Sequence, residues 1–358
     1  MKLKRSSEDF LYRYMNANAP TGFEMTGQQI WCDYINPYVD ELNSDVYGTA
    51  YGIINPGGDY KVLIEAHADE ISWYVNYISE DGYIYVIRNG GSDHSIAPSM
   101  RVKIHTEKGI VKGVFGWPAI HTRKGKNLDL APKMENIFID IGAADRKEVD
   151  KMGVSVGNVV TFADEFDQLN KDYYYGRAID NRIGGFMIAE VARLLSESKT
   201  KLPYSLYIVN AVQEEVGLRG AEMIAQTIRP QMALVTDVTH DTSTPLVDKK
   251  ENGDIRCGKG PVITVAPAVH NKLLQLVKDV AKKEKLDLQL SAASRATGTD
   301  TDAFAYANGG IPSALISLPL RYMHTTVEMA HKKDIDDTIQ LIFRFLKSFK
   351  PTFNFKYF

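Results

Sequence analysis

The chain has 358 residues, of which 44% are hydrophobic and 24% charged, and its formal net charge is −3. This length favours two domains over one or three, and the composition is that of a globular protein with a sizeable core. The small net charge gives no reason to expect nucleic acid or an anionic membrane as a partner. Two widely separated cysteines, Cys32 and Cys257, imply neither a disulfide framework nor a thiolate metal cluster.

The N-terminal segment does not have the pattern of a signal peptide. Asp9 and Arg13 interrupt the apolar region that such a peptide needs, and no run of about 18 apolar residues could span a bilayer. We therefore expect a soluble, cytoplasmic protein without a membrane partner.

The first predicted elements are two helices and a buried strand. Apolar residues at helical spacing predict helices over 6–17 and 24–36. The apolar run 62–64 then predicts a buried strand, and His67 and Asp69 follow just past its C-terminal end.

The segment 73–163 has a different character. Turn signals recur at Asp81-Gly82 and Lys108-Gly109 between stretches of alternating apolar and polar residues, and long helical patterns are missing. We therefore predict that 73–163 is an inserted small β-rich domain, either a barrel or a sandwich.

Helical and strand patterns alternate again from residue 164 onwards. The predicted helices cover 180–196, 219–228, 271–285 and 331–348, and the predicted strands cover 204–212, 232–237, 261–266, 287–293 and 312–318. This alternation predicts one α/β domain, formed by 1–72 plus 164–358, with helices on both faces of its sheet. Ligands of open α/β sheets gather at the carboxyl ends of strands, and candidate polar residues fall there.

His67, Asp69 and Asp180 are the first candidates for chemistry. In an extended chain residues two apart face the same side, so one of His67 and Asp69 could bind a metal while the other orients it. The alternative is a polar strand end at the surface. Asp180 begins the predicted helix 180–196, where it is either an N-cap or a carboxylate that bridges two metals.

Glu214 and Glu215 directly follow an apolar strand pattern. Two adjacent carboxylates in that place repel each other, and a bound cation would relieve the repulsion. Successive side chains point in different directions, so one glutamate could bind a metal while the other faces a water molecule. The alternative is a solvated pair in a loop.

Asp237 and His324 complete the candidate set. Asp237 ends the predicted strand 232–237 as a ligand or as a plain turn aspartate, and His240 and Asp241 could compete for its role. His324 follows a strand and a proline-containing bend, and the alternative is a packed or surface histidine. Two histidines with several carboxylates are ligands that divalent ions prefer, and a spare glutamate could act as a base. The set predicts a two-metal hydrolase site.

Short motifs spread over essentially the whole chain fit one family in combination and in order. They are TGFE at 21–24, AHADEIS at 66–72, GWPAIH at 116–121, GRAIDNRIGG at 176–185, QEEVGLRGA at 213–221, TDVTHD at 236–241, GKGP at 258–261, GTDTDA at 298–303 and RYMHTTVE at 321–328. With these motifs the chain resembles the tetrahedral, dinuclear-metal aminopeptidases, a family that includes glutamyl and leucyl aminopeptidases and proteins once labelled endoglucanases.

The resemblance implies both a fold and an assembly. The fold class would be α/β, with a phosphorylase/peptidase-like α/β catalytic domain and an inserted small β-rich, PDZ-like dimerisation domain at 73–163. Dimers would assemble into a hollow tetrahedral dodecamer, and short peptides would be the substrates.

The resemblance also implies a ligand set for two divalent ions, zinc or cobalt. His67 and Asp237 would be terminal ligands of one ion. Glu215 and His324 would hold the other ion, and Asp180 would bridge the two.

The same resemblance gives the catalytic roles. Glu214 would be the general acid/base, and Asp69 would orient His67. The family usually has two aspartates where this chain has Asp180-Asn181, and an amide at 181 can still donate a hydrogen bond.

These features predict a metal-dependent aminopeptidase that removes N-terminal residues from short peptides through a two-metal-activated water. Two alternatives belong to other classes of function. One is a glycoside hydrolase of the endoglucanase type, which would use paired carboxylates. The other is a non-catalytic peptide-binding assembly that keeps the fold.

Overall fold

The structure, a computed structural model, describes residues 3–125 and 130–358. The helices are α1 (Arg5–Asn16), α2 (Met25–Ile35), α3 (Arg146–Met152), α4 (Ile179–Glu197), α5 (Arg219–Ile228), α6 (Lys249–Asn252), α7 (Asn271–Glu284), α8 (Thr301–Ala305) and α9 (Lys332–Ser348). The strands are β1 (Glu41–Ser44), β2 (Ala50–Ile54), β3 (Lys61–His67), β4 (Ser72–Ile78), β5 (Ile84–Asn89), β6 (Arg101–Thr106), β7 (Gly109–Gly116), β8 (Phe138–Asp140), β9 (Val159–Phe162), β10 (Asp167–Gln168), β11 (Tyr173–Gly176), β12 (Ser205–Ala211), β13 (Met232–His240), β14 (Val262–Val265), β15 (Gln289–Ala292), β16 (Ser313–Arg321) and β17 (Glu328–His331).

The chain divides into two compact units. The α/β unit comprises the described parts of Met1–Asp69, Phe166–Met323 and Val327–Phe358. The barrel unit comprises the described parts of Glu70–Glu165 together with His324–Thr326. The predicted fold class, an α/β domain with a small β-rich insertion, is confirmed.

A mixed sheet forms the centre of the α/β unit. Its strand order is β1-β2-β12-β3-β13-β16-β17-β11-β10, and β14 and β15 extend it beside β16. The central strands β12, β3, β13 and β16 run parallel to one another. Their residues are almost entirely buried, as expected for parallel strands covered on both faces.

The register of these parallel strands aligns their polar ends. Ala211 of β12 lies opposite His67 of β3. Val235 of β13 lies opposite Glu65, so Asp237 follows two residues later at the level of His67. Because β13 pairs with β16 as far as His240, the strand continues beyond the predicted end at residue 237.

Helix α4 packs against β3 with almost its whole length buried. A Cβ on Gly185 of this helix would lie 2.6 Å from the hydroxyl of Tyr14 and 2.7 Å from Oδ1 of Asn210. Asn210 in turn donates to Tyr14 and to Gln28, at 2.9 and 2.7 Å. This buried polar network joins α1 and α2 to the end of β12, and glycine at 185 lets α4 lie close to it.

The barrel unit is a closed barrel with the strand order β4-β5-β8-β7-β6-β9. The barrel is one of the two architectures predicted for this segment. In its core the ring centroids of Trp73 and Phe115 are 5.6 Å apart. Helix α3 was not predicted, because seven residues are too few for a clear helical period. Asp145 caps its start by accepting from Glu148 N at 2.9 Å, and Gly153 ends it with φ 89°.

Within the described residues, no helix is both long enough and apolar enough to cross a membrane.

Candidate active site

Five of the seven predicted site residues meet as a cluster in the α/β unit. Their possible ligand atoms form two groups, and within each group the atoms lie within 4.8 Å of one another. The first group is His67, Asp180 and Glu215, and the second is His67, Glu214 and Asp237. His67 therefore belongs to both groups.

The imidazole of His67 lies at the centre of the acidic side chains. Its Nε2 is 3.2 Å from Oδ1 of Asp180, 3.8 Å from Oε2 of Glu214 and 3.9 Å from Oδ1 of Asp237. His67 is only 2% exposed, and Asp180 and Asp237 are buried as well. Nitrogen and carboxylate donors at this spacing are the ligand set of zinc and related divalent ions.

The pKa values show how strongly these groups interact. Burial, together with the charges of Asp237 and other nearby carboxylates, raises the pKa of Glu214 to about 10 against the opposing effect of His67. Burial and the charge of Asp180 raise the pKa of Asp237 to about 7, again against His67. Burial opposes protonation of His67, but the surrounding carboxylates raise its pKa well above its ordinary value. Divalent cations would compensate this negative charge, so the residues present fit a metal centre.

Asp180 reaches the cluster through an irregular start of α4. Asp180 and Asn181 have non-helical backbone angles, so the regular part of α4 begins after them. The N–H groups of Ile179 and Asp180 both donate to Oε2 of Glu328, at 2.6 and 3.1 Å. The side-chain amide of Asn181 donates to the carbonyl of Thr236 at 2.8 Å. The role of Asp180, as an N-cap or as a metal ligand, stays a prediction.

Glu214 and Glu215 lie in a 3-10 turn, Glu214–Val216, that follows β12. Their backbone N–H groups donate to Oδ1 and Oδ2 of Asp69, at 3.0 and 3.2 Å. Oδ1 of Asp69 is also 3.3 Å from Nδ1 of His67. The buried carboxylate of Asp69 thus contacts both the histidine and the loop that carries the glutamate pair.

The other predicted ligand, His324, is grouped with the barrel unit. Gly91 of that unit lies against the imidazole of His324, because a side chain added at Gly91 would place its Cβ 2.6 Å from Nδ1. Its role as a metal ligand stays a prediction.

The two residues that could have replaced Asp237 have other environments. His240 is exposed. Asp241 pairs with Arg321 at 2.7 Å and also accepts from Ser243. Asp237 is therefore the carboxylate of this motif that joins the cluster.

Several residues around the cluster had no predicted role. Thr21 donates to Asp69 at 2.8 Å, and Glu24 accepts from the N–H of Gln213 at 3.2 Å. Glu328 fixes the start of α4, as described above. These three residues lie in motifs of the resemblance, TGFE and RYMHTTVE, but no local pattern marks their partners, which lie far away in the sequence.

The fold and the cluster together define a metal-dependent hydrolase, and comparisons with known proteins give its family. Residues 48–341 match the M42 glutamyl aminopeptidase family. The lysyl aminopeptidase of Pyrococcus furiosus is 33% identical over 347 residues, which cover 96% of this chain and 97% of the relative.

Solved structures also share the fold. The TET aminopeptidase of Thaumarchaeota archaeon SCGC AB-539-E09 is 31% identical with a TM-score of 0.91, and the match covers 96% of both chains. The Pyrococcus horikoshii TET1 peptidase, which can assemble into a tetrahedron or a large octahedral shell, is 26% identical with a TM-score of 0.83. This match covers 96% of the present chain and all of the other.

The chain belongs to the M42 glutamyl aminopeptidase family. It is a metal-dependent aminopeptidase, a hydrolase that acts on peptide bonds, and the predicted class of function is confirmed.

The raised carboxyl pKa values predict that metal binding releases protons. Asp237, with a pKa of about 7, is partly protonated near neutral pH, and Glu214, with a pKa of about 10, is largely protonated. A metal ion binds deprotonated ligands, so its apparent affinity should rise from about pH 6 to about pH 8. Calorimetric titration of the metal-free protein with zinc, in buffers of different ionisation enthalpy, measures the release. A pH-independent affinity without proton release would contradict this expectation.

Proposed function

We propose that this aminopeptidase holds two divalent ions, zinc or cobalt, and removes N-terminal residues from short peptides. The proposed ligands are His67, Asp180, Glu215, Asp237 and His324. The observation that carries the proposal is the shared position of His67 in two groups of ligand atoms. The carboxylates of both groups lie close to the same imidazole, and divalent ions would offset their negative charge.

Bound ions would act as Lewis acids toward the scissile carbonyl and lower the pKa of the attacking water. Glu214 takes the proton from that water and passes it to the leaving amine. Burial and the neighbouring carboxylates raise the pKa of Glu214 in the metal-free site. Nearby divalent ions would lower that pKa and keep the carboxylate ionised, as a base requires. Asp69 contacts both His67 and the N–H of Glu214, which supports its proposed role in orienting them.

We propose in addition that 73–163 is a dimerisation domain and that 1–72 plus 164–358 form the catalytic domain of a dodecamer. The large shells formed by the Pyrococcus horikoshii relative support self-association. The barrel unit also exposes apolar side chains on neighbouring strands, among them Tyr77 on β4 and Ile87 on β5, which are 52% and 46% exposed. Such side chains are typical of interaction surfaces when they occur together.

The first test of the metal centre is its stoichiometry. Elemental analysis of metal-saturated protein should approach two equivalents per chain, as a two-ion site requires. His67→Ala and His324→Ala should each weaken metal retention. His105→Ala is the matched control, because His105 lies 3.0 Å from the hydroxyl of Thr161 in the barrel. A plateau at one equivalent with full activity, or hydrolysis that survives complete chelation, would exclude the two-ion mechanism.

The second test separates the two adjacent glutamates. Glu214→Gln keeps the size of the side chain but removes its basicity, so kcat should fall by roughly 10²–10⁴-fold while metal content stays near normal. Glu215→Gln should lose metal first, because an amide is a weaker ligand than a carboxylate, and excess metal should partly restore its activity. Kinetics and elemental analysis of both variants measure these effects. The reverse pattern would show that the two roles are exchanged.

The third test concerns assembly. Light scattering at micromolar concentration should give the intact chain a mass many times the 40.1 kDa of one copy. Replacement of 73–163 by a short linker should give smaller species that still bind metal. A strictly monomeric intact chain would rule out the proposed assembly.

A further inference from the structure

A tight turn in the N-terminal segment directs two polar side chains toward the glutamate loop. Phe23 N donates to the carbonyl of Pro20 at 2.7 Å, and Gly22 between them adopts φ 84°. A type II turn requires this left-handed φ at its third residue, which explains the glycine. Thr21 and Glu24, on either side of Gly22, are almost fully buried.

Two carboxylates bind three consecutive N–H groups of the loop. Oε1 of Glu24 accepts from Gln213 at 3.2 Å. Oδ1 and Oδ2 of Asp69 accept from Glu214 and Glu215, at 3.0 and 3.2 Å. The N–H side of the loop backbone at 213–215 is therefore attached to side chains that lie far away in the sequence.

The loop backbone makes further hydrogen bonds with the turn that follows it. Gln213 adopts a left-handed φ of 58°. The carbonyls of 212–214 accept from the N–H groups of 217–220, which belong to the turn that follows. The bonds to Glu24 and Asp69 thus connect the loop to the rest of the site.

Thr21 acts on this arrangement through Asp69. Its hydroxyl donates to Oδ2 of Asp69 at 2.8 Å, the same oxygen that accepts from Glu215. The terminal torsion of an aspartate is broad when no partner fixes it. The hydroxyl therefore restricts the rotation of the carboxylate that lies between His67 and the loop.

We propose that Thr21 and Glu24 are positioning residues for the reaction. Thr21 fixes the carboxylate of Asp69, Glu24 fixes the N–H of Gln213, and together they set the distance between the carboxyl of Glu214 and His67. This inference rests on the proposed role of Glu214 as the acid/base. A misplacement of about 1 Å in such a group costs roughly 100-fold in rate, so a small loosening of the loop is measurable.

The test compares Thr21→Val, which removes the hydroxyl at nearly constant shape, with Thr21→Ser, which retains it. In metal-loaded protein Thr21→Val should lower kcat roughly 10-fold, the usual effect of losing a partner that orients a ligand. KM and metal content should stay near wild type, and Thr21→Ser should recover most of kcat. Thr338→Val is the control, because the buried hydroxyl of Thr338 donates to the carbonyl of Asp334 within α9, at 2.7 Å.

A matched pair at Glu24 tests the second contact. Glu24→Gln keeps an oxygen that can accept from Gln213, whereas Glu24→Leu does not. We expect Glu24→Leu to lower kcat as Thr21→Val does and Glu24→Gln to retain most of it. Wild-type kcat in both Thr21→Val and Glu24→Leu, equal losses within each pair, or losses that follow metal content would overturn the proposal.

Hydrogen exchange gives a measurement that does not depend on activity. The amides of 213–215 should exchange faster in Thr21→Val and Glu24→Leu than in wild type, Thr21→Ser or Thr338→Val. Unchanged exchange would overturn the positioning role. An inactive wild-type enzyme with faster exchange in the two variants would refute the proposed function and leave the hydrogen-bond arrangement supported.

Discussion

The concentration of buried carboxyl groups around one imidazole is the constraint on which this structure depends. Asp180, Glu214 and Asp237 all lie within 4 Å of His67 Nε2, in a place where water screens their charges poorly. Carboxylates in such a place either take up protons or share cations. The raised pKa values of Glu214 and Asp237 favour proton uptake in the metal-free site. The spacing of the ligand atoms suits shared cations. Because these buried carboxylates repel one another, contacts from the surrounding fold must hold them in place.

The stabilisation comes from the sheet and from a surrounding set of hydrogen bonds. Parallel pairing fixes His67 opposite Ala211 and brings Asp237 to the same level, so these side chains are set by strand register. Asp180 and the glutamate pair do not lie in strands. Glu328 and Asp69, each accepting from two backbone N–H groups, hold them instead.

Sequence patterns predicted the parts of this site that follow from periodicity. Apolar runs located the parallel strands, and acidic or histidine residues near their ends gave the cluster. The irregular start of α4 was not predictable in this way, because Asp180 followed by a long helical pattern looks like an N-cap. The sequence also did not predict that Asp237 lies inside β13 and not at its end. The length of this strand depends on its pairing with β16 and not on local composition.

The contacts made by Thr21 and Glu24 could not be predicted from local patterns. Each joins residues separated by 48 or more positions, and neither segment has a periodicity that indicates the other. The fold of 73–163 as a barrel or a sandwich could be predicted from its turns. The choice between the two required knowledge of how β4 and β9 pair to close the barrel.

The backbone attachment of the glutamate loop has a consequence for how such an enzyme can diversify. At position 213 the backbone has a left-handed φ, and its N–H and carbonyl both form hydrogen bonds. Among the described residues, no hydrogen bond involves the side chain of Gln213. Substitutions there could change what an incoming peptide meets beside Glu214 without moving Glu214 itself. Selectivity and catalytic geometry could therefore evolve separately, although they share one short loop.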